Sequence, residues 1–163
     1  MLIKTKVPKL LQISAFVMLS APLQSCSQRW DVTIIGTESG QPVFCFSHTR
    51  KCSDDDPGIQ FGNVTVREVD TQGIIGVQVW SITYDNNAAL KASDKSNAFL
   101  KRVTYGKAPS FWGTDLPPQP LISGHAYAVG DGQYVFYKTL KGTFGSMPYW
   151  DFEHKYHFLV PLT

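Results

Sequence analysis

Apolar and aromatic residues along this chain come in short, partly alternating runs separated by breakers, a pattern that predicts strands and tight turns. Such runs stand at 30–36 (WDVTIIG), 42–47 (PVFCFS), 64–69 (VTVREV), 74–84 (IIGVQVWSITY), 101–106 (KRVTYG), 125–129 (HAYAV) and 133–140 (QYVFYKTL). VDTQG at 69–73 and GDG at 130–132 supply the glycine turns that close antiparallel hairpins. Helix formers gather at 86–100, but Asn and Ser break any helical period, so the stretch reads as a long connection with one helical turn. Near the C-terminus, 146–158 could begin a helix, with Ser146 as cap and Pro148 in the first turn, or run as the last strand; the favoured reading is a short helix or turn and then a strand through 157–162. Strands at this spacing predict an all-β fold with little helix, an antiparallel β-sandwich.

In PLISGHAYAV (120–129) a leucine, a glycine and a tyrosine lead into a strand. The order resembles the tyrosine corner of immunoglobulin-like and fibronectin-like domains, where the ring fills the edge of the core and the hydroxyl reaches upstream backbone. That resemblance gives Tyr127 the corner role, with Leu121 and Val129 as core neighbours. An ordinary half-buried strand tyrosine is the alternative.

The first 25 residues follow a different pattern. Lys4, Lys6 and Lys9 precede an apolar run from Leu10 to Leu19 that only Gln12 and Ser14 interrupt. This is the charged start and short hydrophobic core of an export signal. The run is too short to span hydrocarbon, which takes roughly 20 apolar residues. A buried helix would not explain three leading cations followed by Pro22 and a polar stretch at 24–29.

Leu23-Gln24-Ser25-Cys26 then resembles the lipobox of bacterial lipoproteins. That resemblance implies diacylation of the Cys26 sulfur and cleavage ahead of it. It divides the chain into a signal (1–25), an acylated tether (26–29) and one β-sandwich domain (30–163). Ser27 is not the aspartate that marks many enterobacterial lipoproteins for the inner membrane, which implies an outer-membrane anchor facing the periplasm. A cut after Ala21 or Ser25 without acylation would give a secreted protein instead.

Cysteine arithmetic agrees with the lipid. The chain has three cysteines, an odd number that leaves one unpaired in an oxidising compartment. With Cys26 acylated, Cys45 and Cys52 remain to form a disulfide, whose small loop stabilises the fold by roughly 2 to 3 kcal/mol in the chain-entropy model. Two reduced, buried thiols are the alternative. The gap between them does not match the short spacing of zinc ligands.

Charge excludes a class of partner. Taking the 25-residue signal from 163 residues leaves 138, and takes three of the 15 Lys and Arg, leaving 12 against 13 acids. The basic pI near 8.4 therefore belongs to the signal, and no basic run with interleaved aromatics points to nucleic acid.

Candidate chemistry is sparse. Asp151, Glu153, His154 and His157 lie close together, and the two histidines would share a helix face but oppose each other on a strand. Two histidines without a third fixed ligand predict no metal. Asp54, Asp55 and Asp56 lack the alternating ligands of a calcium loop and read as an acidic tip beside the disulfide, a contact for a basic partner. There is no G-x-S-x-G elbow, the cysteines are committed, and the glycines sit at turns, so neither an enzyme nor a cofactor is expected. Trp80, Trp112 and Trp150, with Tyr105, Tyr134 and Tyr137, mostly belong to the core that a small sandwich must fill. Trp112, in the proline-rich stretch 107–120, reads as the exception, an anchor for a protein partner held on an irregular loop.

Together the signal with Cys26, CFS (45–47), VWSI (79–82), KRVTYGKAPSFW (101–112) and YAVGDGQYVFY (127–137) resemble a diffuse group of small bacterial lipoproteins. Some of these are described as periplasmic immunity proteins against type VI secretion effectors. The resemblance spans most of the mature domain and brings no catalytic residues with it. It implies a membrane-anchored binding protein that blocks a toxin delivered to the periplasm. The rival expectations are a module that binds envelope glycan or peptidoglycan, and an accessory subunit of an envelope complex.

Overall fold

The computed structural model describes residues 30–49, 51–91, 99–152 and 154. Strand makes up about 50% and helix 9% of the structure, so the expected all-β architecture is present. Strands β1 (Asp31–Glu38) and β2 (Gln41–Ser47) form a hairpin, and β7 (Arg102–Thr104) pairs with the other side of β2. The larger sheet has the order β11-β10-β9-β4-β5-β8, with β4 (Asn63–Val69), β5 (Ile75–Tyr84), β8 (Trp112–Leu116), β9 (Ala126–Val129), β10 (Tyr134–Lys138) and β11 (Phe144–Pro148). Two short strands, β3 (Ile59–Gln60) and β6 (Phe99–Leu100), pair beside them. Every ladder is antiparallel. The turns at 70–74 and 130–133 join the hairpins expected of VDTQG and GDG.

Phe44 and Phe46 of β2 and Val103 of β7 face Val64, Val66, Trp80, Ile82, Tyr127, Val129 and Phe136 of the larger sheet. This is the core of an antiparallel β-sandwich, in which inward residues alternate with outward ones along a strand. β9 departs from that alternation because all four of its residues are buried. Tyr127 and Val129 enter the main core. Ala126 and Ala128 point to the other face, where Phe152 packs on them together with Val69 and Val135. Phe152 belongs to a helical turn that follows β11 and includes residues 149–152 and 154.

Tyr127 takes the corner role. Its ring stacks on Phe136 at 5.2 Å between centroids, and its hydroxyl accepts the Ile122 N–H at 2.7 Å. Leu121 and Val129 are buried beside it. Tyr105 ties the other approach to the core, donating its hydroxyl to the Gln119 carbonyl at 2.7 Å. Cys45, fully buried in β2, is bonded to Cys52 across a Cα separation of 6.1 Å. The bridge holds the loop between β2 and β3 against the sheet. Gly58 in that loop has φ +87°, and a Cβ there would lie 2.8 Å from the Leu100 carbonyl oxygen, so both conformation and space demand glycine.

The expected helical turn within 86–100 is α1 (Asn86–Lys91), where Asp85 caps the Asn87 and Ala88 N–H groups at 3.0 Å each. Two expectations are corrected. Residues 112–116, read as irregular loop, form β8 because they bond to β5 from Ser81 to Tyr84. Ser146 and Pro148, read as helix start, instead close β11, whose pairing with β10 satisfies their backbone. The expected strand at 157–162 lies outside the described residues.

Cys52→Ser should lower the unfolding free energy by about 2 to 3 kcal/mol, read from urea unfolding under oxidising conditions. A second expectation concerns alkaline pH. Burial pushes the hydroxyl pKa of both Tyr105 and Tyr127 above the usual tyrosine value, against the smaller opposing effect of their backbone hydrogen bonds. In the unfolded chain these groups ionise near pH 10, so above that value the unfolded state binds fewer protons and stability falls as pH rises. Tyr127→Phe should lower stability at neutral pH by about 1 kcal/mol through loss of the corner bond and flatten the decline. Urea midpoints between pH 8 and 11 measure both effects.

Candidate functional site

The chain enters the sandwich at Trp30, and the position of this ring defines one end of the molecule. Gly130, at φ +67°, is the seat: a Cβ there would come within 2.9 Å of the Trp30 ring. Trp30 stands edge-on to Phe61 at 5.0 Å and beside Tyr134 at 5.9 Å. The Tyr134 hydroxyl donates to the Asp31 carboxylate.

Two grooves open around this aromatic hub. One, of about 840 Å³, runs from Trp30, Asp31 and His48 past Asp131, Gln133 and Tyr134 to Tyr149 and Trp150. The other, of about 780 Å³, is lined by Gln60, Phe61, Tyr84, Asn86, Leu90 and Phe99. The walls of the first are preorganised. Asp131 accepts the Gln133 side-chain amide at 2.9 Å, Tyr149 N–H donates to the Gln133 carbonyl at 2.9 Å, and the Tyr149 hydroxyl donates to the Gly73 carbonyl. Trp150 remains 62% exposed. The arrangement offers flat aromatic faces flanked by two carboxylates and an amide, a chemistry of stacking and hydrogen bonding.

The acidic loop lies at the same end but is less acidic in effect than its sequence. Asp54 pairs with the Arg102 guanidinium at 2.9 Å, and its carbonyl accepts the Lys101 ammonium at 2.6 Å. Asp56 turns inward, its carboxylate accepting Gly58 N–H and His48 N–H at 2.9 Å each. The Gly58 bond holds the Asp56 carboxyl below the usual aspartate range against the opposing cost of desolvation, with the His48 bond adding a smaller lowering effect. Of the three, Asp55 is the one whose carboxylate has no partner among the described residues.

Trp112 requires correction. It opens β8, is 7% exposed, and packs against Tyr84 at 5.6 Å between centroids. A turn closed by Trp112 N–H on the Pro109 carbonyl at 3.0 Å swings the ring inward, so it fills core rather than offering an exposed anchor. The exposed tryptophan is Trp150. Cys26, Glu153 and His157 lie outside the described residues. His154 is exposed, with Nδ1 2.6 Å from the Trp150 carbonyl oxygen. Among the described residues no three His, Cys, Asp or Glu side chains converge as a metal site.

At the opposite end a feature the sequence reading passed over comes into view. The turn 139–143 between β10 and β11 is closed by Thr139 N–H to the Thr143 carbonyl at 2.8 Å and Gly142 N–H to the Thr139 carbonyl at 2.9 Å. The two threonine hydroxyls lock it at 2.7 Å. Leu140 rides on this turn at 63% exposure. Ile122, 52% exposed, lies on the neighbouring loop, which Gly124 N–H joins to the Lys138 carbonyl at 2.7 Å and Lys138 Nζ joins to the Leu121 carbonyl at 3.0 Å. The signal was present in TLKGT, where one leucine sits among turn-forming residues.

No family model, curated protein or solved structure matches this chain.

The two tryptophans of the first groove should separate in unfolding experiments. Trp30→Ala should cost about 2 kcal/mol or more because the hub collapses. Trp150→Ala should change stability by less than about 0.5 kcal/mol because its ring is mostly in solvent. Urea unfolding followed by circular dichroism measures both.

Proposed function

We propose that this chain is an outer-membrane lipoprotein facing the periplasm, anchored through Cys26, that acts as an immunity protein by binding and blocking a protein toxin. The observation that carries the binding role is Leu140, an exposed aliphatic side chain held on a closed turn at the end of the sandwich away from the N-terminus. A side chain presented on a pre-ordered turn loses little conformational entropy on binding, and such positions make effective anchors. Ile122 extends the apolar contact, and exposed Lys141 adds positive charge beside it. The partner that fits has an apolar pocket with an acidic rim. The Cys45–Cys52 bridge supports export, because such bonds persist in oxidising compartments.

A second reading, an envelope glycan-binding module, draws on the groove between Trp30 and Trp150, whose aromatic faces and polar side chains suit a sugar. An accessory role in an envelope complex would use either end. Isolated glycans that change the tryptophan fluorescence would favour the sugar reading.

The test is growth of cells exporting the product of the neighbouring gene to the periplasm, with and without this chain. Rescue by the wild type, lost with Leu140→Asp, supports the proposal. The substitution should weaken binding to the purified toxin by 2 kcal/mol or more, about 30-fold, in calorimetry. A toxic neighbour that the correctly exported chain fails to neutralise would sink the pairing.

A further inference from the structure

We infer that the aromatic end of the sandwich around Trp30 is a seat for a zwitterionic membrane surface, which orients the anchored domain with Leu140 outward; the inference rests on acylation of Cys26. Three observations converge on it. First, Trp150, Leu90 and Phe99, exposed by 62%, 54% and 48%, belong to the two grooves at this end. The grooves are joined by the edge-on contact of Trp30 with Phe61, so these three exposed side chains flank the same aromatic hub.

Second, the tether is short. Cys26 stands four residues before Trp30, and four residues of extended chain span at most about 14 Å. That length keeps the Trp30 end against the headgroup region and leaves too little room beneath it for a folded protein partner. Third, the chemistry fits the interface. Tryptophan and tyrosine settle where hydrocarbon meets water because each has an apolar body and a polar tip. Asp31 and Asp131 line the groove, which favours the ammonium group of a zwitterionic headgroup and disfavours a purely anionic surface.

Trp80 and Trp112 are buried, so Trp30 and Trp150 are the tryptophans placed to report on lipid. The experiment uses the full-length chain, exported and extracted from membranes, with the mass of the Cys26 peptide read first. It is then reconstituted into phosphatidylethanolamine–phosphatidylcholine vesicles with brominated acyl chains. The expected result is quenching of tryptophan fluorescence that falls by about half in Trp150→Phe, is unchanged in Leu140→Asp, and weakens when phosphatidylglycerol replaces the zwitterionic lipids. Equal quenching of wild type and Trp150→Phe on an acylated chain would overturn the seat while leaving the anchor intact. Envelope glycan fragments that change Trp150 emission without vesicles would overturn it too, assigning the groove to sugar. An unacylated Cys26 would remove the anchor, and the seat with it, in the mass measurement alone.

Discussion

Burial of β9 on both faces is the constraint from which the rest of the structure follows. A strand in a two-layer sandwich ordinarily shows one face to solvent, but Phe152 covers the outer side of Ala126 and Ala128. Those two positions accept only small side chains if the aromatic turn is to lie flat on the sheet. On the inner side Tyr127 spans from the core to the Ile122 backbone. One four-residue strand thereby fixes the helical turn after β11, which carries Trp150, and the loop before β9, which carries Ile122. The two candidate surfaces are set by opposite sides and opposite ends of the same strand.

Much of this was legible in the sequence, and the failures have particular causes. β1, β2, β4, β5, β7, β9 and β10 fall within runs of β-branched and aromatic residues, because these residues favour a pleated, half-buried surface. β8 was hidden because WGTDL has no alternation of its own; three of its residues are exposed, and it exists through its ladder to β5. An edge strand of this kind is held by a neighbour's hydrogen bonds rather than by its own pattern. β11 was hidden by Pro148, whose ring suits the start of a helix equally well. Trp112 was misplaced with β8, because its exposure was inferred from the loop it was assigned to, whereas Trp150 was counted with the core only because a small sandwich needs large side chains.

The disulfide and the tyrosine corner were readable because both are local: the cysteines are seven positions apart, and Ile122 and Tyr127 are five apart. The grooves were not, because they gather residues near 30, 48, 61, 90, 131 and 150 that only the tertiary fold brings together. The partners of the acidic tip were hidden for the same reason. Three consecutive aspartates look like one acidic surface, yet Arg102, 48 positions from Asp54, neutralises one of them, and the loop's own backbone absorbs another. Linear charge density describes a solvated tail well and a folded loop poorly.

The polarity of the sandwich bears on how an anchored inhibitor can work. β9 and β10 run antiparallel between the Trp30 end and the Leu140 end, and their ladders to β4 and β11 tie both ends into one sheet. If Cys26 is acylated as proposed, the anchor, five positions before β1, would act on this rigid domain. Lipid confinement would remove translational freedom from the domain, and a seated domain would give up rotational freedom as well. Both costs would then be met before any partner arrived, and the contacts proposed for Leu140 would need to offset only the partner's own loss of freedom. Under the proposed anchoring, the same rigidity would restrict access: a partner would have to approach from the side away from the membrane, and side chains at the Trp30 end would contribute to orientation instead of to recognition.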